Sequence, residues 1–184
     1  MATVLVILPE GFEEIEAITP IDIWRRAGFT VKTAALGPKL TVTGRSEITV
    51  HADILLSAVG PGEVFDVLFI PGGPGVAHLR ASLEVRELLG RHVAADRWIA
   101  AICAAPLVLH DAGLLAGKRY TAHPSAATEL SSILADEKVV IDGHIITSRG
   151  AGTTLDFALT VVQSTAGREL AEKVAVSICA QASS

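Results

Sequence analysis

The chain has 184 residues, half of them hydrophobic but only 4% aromatic, and a formal net charge of −5 from 15 Lys+Arg against 20 Asp+Glu. That length suits one well-buried domain over residues 1–184, and the hydrophobic content excludes disorder as the main state. The acidic balance, with no long run of either sign, argues against nucleic acid or an anionic membrane as partner, and two cysteines, Cys103 and Cys179, are too few for the disulfide framework of a secreted module.

The first residues lack a basic segment and run from a short apolar stretch into Glu10, Glu13, Glu14 and Glu16, unlike a signal peptide. The longest uncharged apolar run, residues 98–109, falls well short of the roughly 20 residues needed to span a bilayer. A soluble, cytoplasmic protein is expected.

Residues 4–8 form a continuous aliphatic run, the pattern of a parallel strand buried on both faces. Gly11 breaks it, and apolar residues at helical spacing predict a helix over 13–26 with Gly28 as its stop, kinked at Pro20. Residues 30–34 read as a second strand, and residues 40–50, with a Thr-Gly-Arg turn, as one or two short strands. Residues 67–70 are another apolar strand, ending in Pro71-Gly72-Gly73-Pro74-Gly75, and an amphipathic helix follows over 83–95. Residues 98–102 form a further strand, followed by Cys103-Ala104-Ala105-Pro106 and a helix stopping near Gly113. A short strand is expected at 120–122 and a hairpin over 139–147 with an Asp-Gly turn. Helices at 154–164 and 169–180 close the chain. The sum is an α/β domain, a mostly parallel sheet with helices on both faces.

Ligands of such sheets bind beyond the carboxyl ends of the strands, which directs attention to the loops at 9–16, 71–75 and 102–106. Cys103 stands between a buried strand and a helix with proline near its first turn, an arrangement like a nucleophile elbow. A helix N-terminus there favours thiolate over thiol and is expected to lower the thiol pKa. The alternative is a small buried hydrophobe in an apolar run. Cys179, among Val174, Val176 and Ile178 with no turn beside it, is expected to be inert packing, so iodoacetamide should label Cys103 in the folded protein and Cys179 only after denaturation.

Glu13, Glu14 and Glu16 open a helix, where acids commonly face water. Glu16 is singled out because its loop should lie beside Cys103, where like charge would raise its pKa and suit it to carry a proton. The six histidines show no metal-ligand spacing, so no metal is expected; His123 stands apart because His-Pro-Ser follows a strand candidate. The glycine loop lets backbone approach a ligand, and the N–H groups of Gly73 and Ala104 are candidate donors to an oxyanion or an oxidised sulfur. It matches neither the P-loop nor the dinucleotide fingerprint.

Five segments in order, Leu8-Pro-Glu-Gly-Phe-Glu-Glu-Ile-Glu16, Phe69-Ile-Pro-Gly-Gly73, Ala100-Ala-Ile-Cys-Ala-Ala-Pro106, Ala122-His-Pro124 and Thr147-Ser-Arg-Gly-Ala-Gly-Thr153, resemble the ThiJ/PfpI superfamily, and within it the DJ-one branch. The resemblance covers essentially the whole chain. It implies a flavodoxin-like α/β sandwich, usually a homodimer, with Cys103 as the reactive cysteine, Glu16 as its hydrogen-bonding glutamate, His123 as the nearby histidine, and Gly73 and Ala104 as backbone donors. Arg45 and Arg26 resemble arginines near the site and close to the dimer interface. Protease-like members carry a histidine directly after the cysteine; Ala104 stands there, which speaks against a peptidase triad.

The favoured expectation is a glutathione-independent glyoxalase or deglycase-like enzyme. Cys103 would add to methylglyoxal or glyoxal, and Glu16, with His123, would move the proton that leads to lactate or glycolate, with no cofactor. The competing expectation is an oxidative-stress sensor or chaperone in which Cys103 is oxidised to sulfinate, held by Glu16 and the two backbone donors.

Overall fold

The computed structural model describes residues 1–180. Its frame is a seven-stranded sheet built from β1 (Thr3–Leu8), β2 (Thr30–Ala35), β5 (Ile54–Leu55), β6 (Val67–Ile70), β7 (Trp98–Ile102), β8 (Val139–Asp142) and β9 (Ile145–Ser148), in the order β5-β2-β1-β6-β7-β9-β8. Every pairing is parallel except β8 with β9, the hairpin closed by Asp142-Gly143. Strands β3 (Thr41–Thr43) and β4 (Thr49–His51) form a separate antiparallel ribbon, so the segment at 40–50 is two strands.

The aliphatic run of β1 packs on both faces, as its lack of alternation predicts. Val4, Val6 and Leu8 join one core layer with Val67, Phe69, Ala100 and Ile102, covered by α1 (Glu14–Arg26), α5 (Thr154–Ala166) and α6 (Arg168–Ser177). Leu5 and Ile7 turn the other way and join Leu68, Ile70, Ile99 and Ala101 under α2 (Val76–Ala81), α3 (Leu83–Ala94) and α4 (Pro106–Asp111). The few aromatics concentrate in the first layer: Trp24 meets Phe69 edge-on with centroids 5.0 Å apart, Phe69 meets Phe157 at 5.5 Å, and the Trp24 indole N–H donates to the Ala158 carbonyl at 3.0 Å. This is the flavodoxin-like α/β fold.

Helix α1 runs to Arg26 as its spacing predicts, with Pro20 inside it; proline has no N–H to offer the carbonyl four residues back, that of Glu16, and its ring is buried. Two local expectations change. The strand expected at 120–122 is reduced to one bridge between Tyr120 and Ile133. Cys179 is exposed rather than packed. Helix α6 ends at Ser177, and the chain leaves it through the left-handed residue Cys179, φ +59°, with Cys179 N–H donating to Val176 O at 3.1 Å and Ala180 N–H to Ala175 O at 2.9 Å. That pattern of paired bonds usually has glycine at the left-handed position, so the apolar neighbours of Cys179 concealed a helix end.

The chain leaves β1 toward β2 on one side and later enters β6 on the other, so the order reverses between β1 and β6. The carboxyl ends of β1, β6, β7 and β9 therefore lie side by side, and the loops that follow them share one crevice.

Candidate active site

Cys103 is the first residue after β7 and takes the left-handed conformation, φ +65°, which costs a non-glycine residue on the order of 1–2 kcal/mol. Its backbone is held from both sides: its N–H donates to Ser148 O at 2.9 Å, and its carbonyl accepts from His123 N–H at 2.8 Å. These bonds to β9 and to the segment before the turn at Pro124–Ala126 offset the strain and hold the elbow in place. The side chain is half-buried, and the N–H groups of Ala104 and Gly73 are both directed at the sulfur.

Glu16 reaches the same sulfur from the first turn of α1. It is 1% exposed, its Oε2 accepts from Gly72 N–H at 3.0 Å, and its carboxyl is hydrogen-bonded to the Cys103 thiol. Glu13 caps the helix, its Oε2 accepting from Glu16 N–H at 2.7 Å, while its own N–H donates to Gly72 O at 2.9 Å. Helix start and glycine loop are thus tied together by two backbone groups of one residue. A Cβ at Gly72 would lie 2.6 Å from Cys103 Cβ and closer still to Glu16 Oε2, so the site requires glycine there. Sequence reasoning named Gly73 from this loop and passed over Gly72. Gly73 sits at φ +100°, with the Glu13 and Gly11 backbone where a Cβ would go.

His123 approaches from the opposite wall. The position a Gly150 Cβ would occupy is 3.5 Å from His123 Cδ2, 3.6 Å from Glu16 Oε1 and 3.9 Å from Cys103 Sγ, so all three side chains border that one space. His123 Nδ1 accepts from Ser125 N–H at 3.1 Å, which assigns the proton of the neutral ring to Nε2. Gly150 lies within the 147–153 segment, and nothing in its residue type marked it as part of the site.

The two arginines separate. Arg45 lies in the turn between β3 and β4, its N–H donating to Phe12 O at 2.8 Å, and its positive charge favours the ionised form of Glu16. Arg26 is the last residue of α1, at the end away from Glu16, and its guanidinium pairs with Asp22 at 2.7 Å. Ten residues of helix put it about 15 Å along the axis from Glu16, so within one chain it does not join the site.

The electrostatics differ from the expectation of a thiol acidified by a helix start. Burial pushes the Cys103 thiol up to about 12, and the Glu16 charge and hydrogen bond add to the effect; the Ala104 and Gly73 N–H groups act in the opposite sense. Burial also pushes the Glu16 carboxyl up to about 7, with Glu13 adding to it, while Cys103, Gly72 and Arg45 oppose. Helix α4 is short and begins three residues after the cysteine, so its dipole does not dominate. The two groups titrate as a pair that resists a second negative charge and so holds one proton in common above neutral pH. When that proton sits on Glu16, the charge that opposes a thiolate is gone, and the carboxyl becomes a hydrogen-bond donor to sulfur. The arrangement can present a nucleophile and a proton carrier in one contact.

Residues 2–164 match the model of the DJ-1/PfpI family. The chain is 38% identical over 175 residues to the Parkinson disease protein 7 homolog of Danio rerio, covering 92% of this chain and 93% of that protein. It is 34% identical over 181 residues to the glutathione-independent glyoxalase DJR-1.2 of Caenorhabditis elegans, covering 97% and 96%. Against the longer DJ-1 homolog B of Arabidopsis thaliana it is 39% identical but spans only 38% of that protein. Among solved structures it is similar to Drosophila melanogaster DJ-1beta, with a TM-score of 0.94 and 38% identity over 98% of this chain and 99% of that one, and to the oxidized DJ-1 of Toxoplasma gondii, with 0.93 and 34% over 99% and 100%. The family thus includes a protein named as a glyoxalase. With its residues in the family's order and its fold on the family's structures, the chain belongs to the DJ-1/PfpI family.

Proposed function

We propose that this protein is a cysteine-dependent, glutathione-independent enzyme that converts a small 2-oxoaldehyde, methylglyoxal or glyoxal, to the corresponding 2-hydroxy acid. The observation that carries the reading is the contact between the buried Glu16 carboxyl and the Cys103 thiol, one shared proton at a strained elbow.

The sulfur attacks the aldehyde carbon of methylglyoxal, and Glu16 delivers its proton to the oxygen that becomes negative, giving a hemithioacetal. The Gly73 and Ala104 N–H groups, directed at the sulfur, would stabilise that oxygen as it becomes negative. Glu16, now a carboxylate, takes the hydrogen from the former aldehyde carbon; the electron pair moves to give an enediol, and the proton returns to the neighbouring carbon. The product is a thioester of lactate on Cys103. Water cleaves it, with a proton passing through Glu16 or His123, and restores the thiol, so that methylglyoxal and one water become lactate with no change in oxidation level overall. A deglycase acting on early glycation adducts needs the same residues, because an adduct that releases free dicarbonyl feeds the same sequence.

The test is loss of methylglyoxal with matching appearance of lactate by the purified protein. Cys103→Ala should abolish both. No turnover at millimolar substrate contradicts the reading.

A second reading, a sensor whose Cys103 is oxidised to sulfinate, is favoured by the same two N–H groups at the sulfur and by a relative solved in oxidized form. Peroxide followed by intact-mass measurement should add two oxygens confined to Cys103; oxidation spread over other residues counts against it.

We further propose that two copies of the chain pair. Ile15 and Ile18 stand on one face of α1 with 54% and 40% of their surface exposed, an apolar pair that a second copy would cover. Ile18→Glu should leave the single-chain mass in sedimentation, and an unchanged dimer would contradict this assignment.

A further inference from the structure

Glu14 takes no part in the chemistry above, yet it is only 8% exposed and lies between Glu13 and Glu16 in chain order. Its Oε1 accepts from Ser46 N–H at 2.7 Å, while its Oε2 is buried without a hydrogen-bond partner. Burial alone would raise its pKa, but hydrogen bonds from Ser46 and the Ile48 backbone outweigh burial and hold the carboxyl below the usual carboxylate range, so Glu14 sits under the turn as a carboxylate tied to it.

The turn at 44–47 is built around this carboxyl. A Cβ at Gly44 would lie 3.0 Å from Glu14 Cγ and closer still to the carboxyl itself, so glycine is needed for the backbone to close over it. Glu47 N–H donates to Gly44 O at 3.1 Å with Glu47 at φ +66°, and Gly44 N–H donates to Ile48 O at 3.0 Å. The same ribbon is fastened to the loop after β1 by Gly11 N–H to Thr43 O and Arg45 N–H to Phe12 O, each 2.8 Å, and by Thr43 N–H to Glu10 Oε2 at 3.0 Å.

Arg45 rises from the middle of this turn, and its guanidinium forms no ion pair among the described residues. The charged and titratable groups that bear on the Glu16 and Cys103 pair are Glu13 at the helix cap, Arg45 from the ribbon and His123 from the opposite wall. Of these, Arg45 alone is a permanent cation.

We propose that Glu14 is a positioning residue: its buried carboxylate pins the turn at 44–47 against the start of α1, and so fixes the distance from the Arg45 guanidinium to the Glu16 and Cys103 pair. This rests on the reading of those two residues as a proton-sharing pair, and it adds control of that pair from outside the reacting groups.

The test follows alkylation of Cys103 by iodoacetamide against pH, resolved from Cys179 by peptide mass, with hydrodynamic size compared throughout. Glu14→Ala removes both the charge and the tie; Glu14→Gln removes the charge and keeps an acceptor for Ser46 N–H. Loss of negative charge alone moves the alkylation midpoint down, whereas release of Arg45 moves it up. The midpoint of Glu14→Ala should therefore lie above that of Glu14→Gln, enough to lower the rate on the rising limb about twofold. That difference should vanish when Arg45→Gln is added to both. Equal midpoints, or a difference that persists without Arg45, overturn the proposal. If Glu14→Ala does not fold, Gly44→Ala presses a methyl into the same carboxyl without changing any charge; it should also raise the midpoint, and a wild-type midpoint overturns the proposal. Alkylation needs no dicarbonyl substrate, so absence of lactate formation refutes the proposed activity and leaves this result standing.

Discussion

Glu16 and Cys103 meet across Gly72, whose missing side chain is the space they share and whose N–H holds the carboxyl 3.0 Å away. A buried acid, a half-buried thiol and a backbone with no room for a methyl group make one unit. Gly72→Ala therefore tests the geometry without removing a reacting group. The added Cβ must displace Cys103, Glu16 or the loop, so turnover should fall by at least about tenfold, with stability lowered by roughly 1–3 kcal/mol from overpacking. Wild-type kinetics in a folded Gly72→Ala protein would show that the contact is not needed.

The burial of Glu16 should cost stability at neutral pH. Glu16 is raised from 4.5 to about 7, so its native state holds a proton that the unfolded chain has released. Its contribution is fully present below about pH 4.5 and is lost as pH rises through about 7, an effect on the order of 3 kcal/mol. Glu16→Gln should raise the melting temperature at pH 8 and leave it nearly unchanged at pH 4, while abolishing turnover. Equal effects at both values would mean that the carboxyl is not held protonated by its surroundings.

His92 should act in the opposite sense. Its ring is fully buried, with Nε2 accepting from Phe65 N–H at 3.1 Å and Nδ1 bonded to Leu88 O at 2.8 Å, a pairing only the neutral ring satisfies. Burial lowers its pKa below 6.5, so its contribution is present above about pH 6.5 and is lost as pH falls. His92→Leu should be less stable at pH 8, because Phe65 N–H loses its acceptor, and should show a flatter loss of stability on acidification than wild type. A parallel loss in both proteins would contradict this account.

Cysteine accessibility offers a further check. Cys179 is exposed in the left-handed residue that ends α6, so iodoacetamide should label it in the native protein without denaturant. Cys103 is half-buried, and its labelling should depend on pH through the Glu16 pair. Protection of Cys179 until unfolding would contradict the described helix end.

These cases mark what the amino-acid sequence makes legible. The strands at 67–70 and 98–102 are plain in sequence because burial on both faces leaves an uninterrupted apolar run, and Cys103 stands out because strand, small residues and proline follow one another. Glu16 could be singled out by placing its loop next to Cys103. The direction of the Cys103 shift was not legible, since it depends on burial and on a carboxyl 87 positions away in sequence rather than on the adjacent helix start. Gly72 and Gly150 escaped because a glycine contributes there by what it lacks, which only neighbours in space reveal. Glu14 read as a solvated helix-start acid until the ribbon at 41–51 closed over it, and Cys179 read as core because apolar neighbours conceal a helix end.

The most direct test of the central claim, that Cys103 and Glu16 together isomerise a dicarbonyl, is turnover of methylglyoxal in deuterated water with the lactate analysed for isotope and handedness. Because the proton travels on an exchangeable carboxyl, the account predicts lactate of one handedness with deuterium at carbon two, and neither product nor label with Cys103→Ala or Glu16→Gln. Racemic lactate, or the same labelled product from either variant, would contradict it.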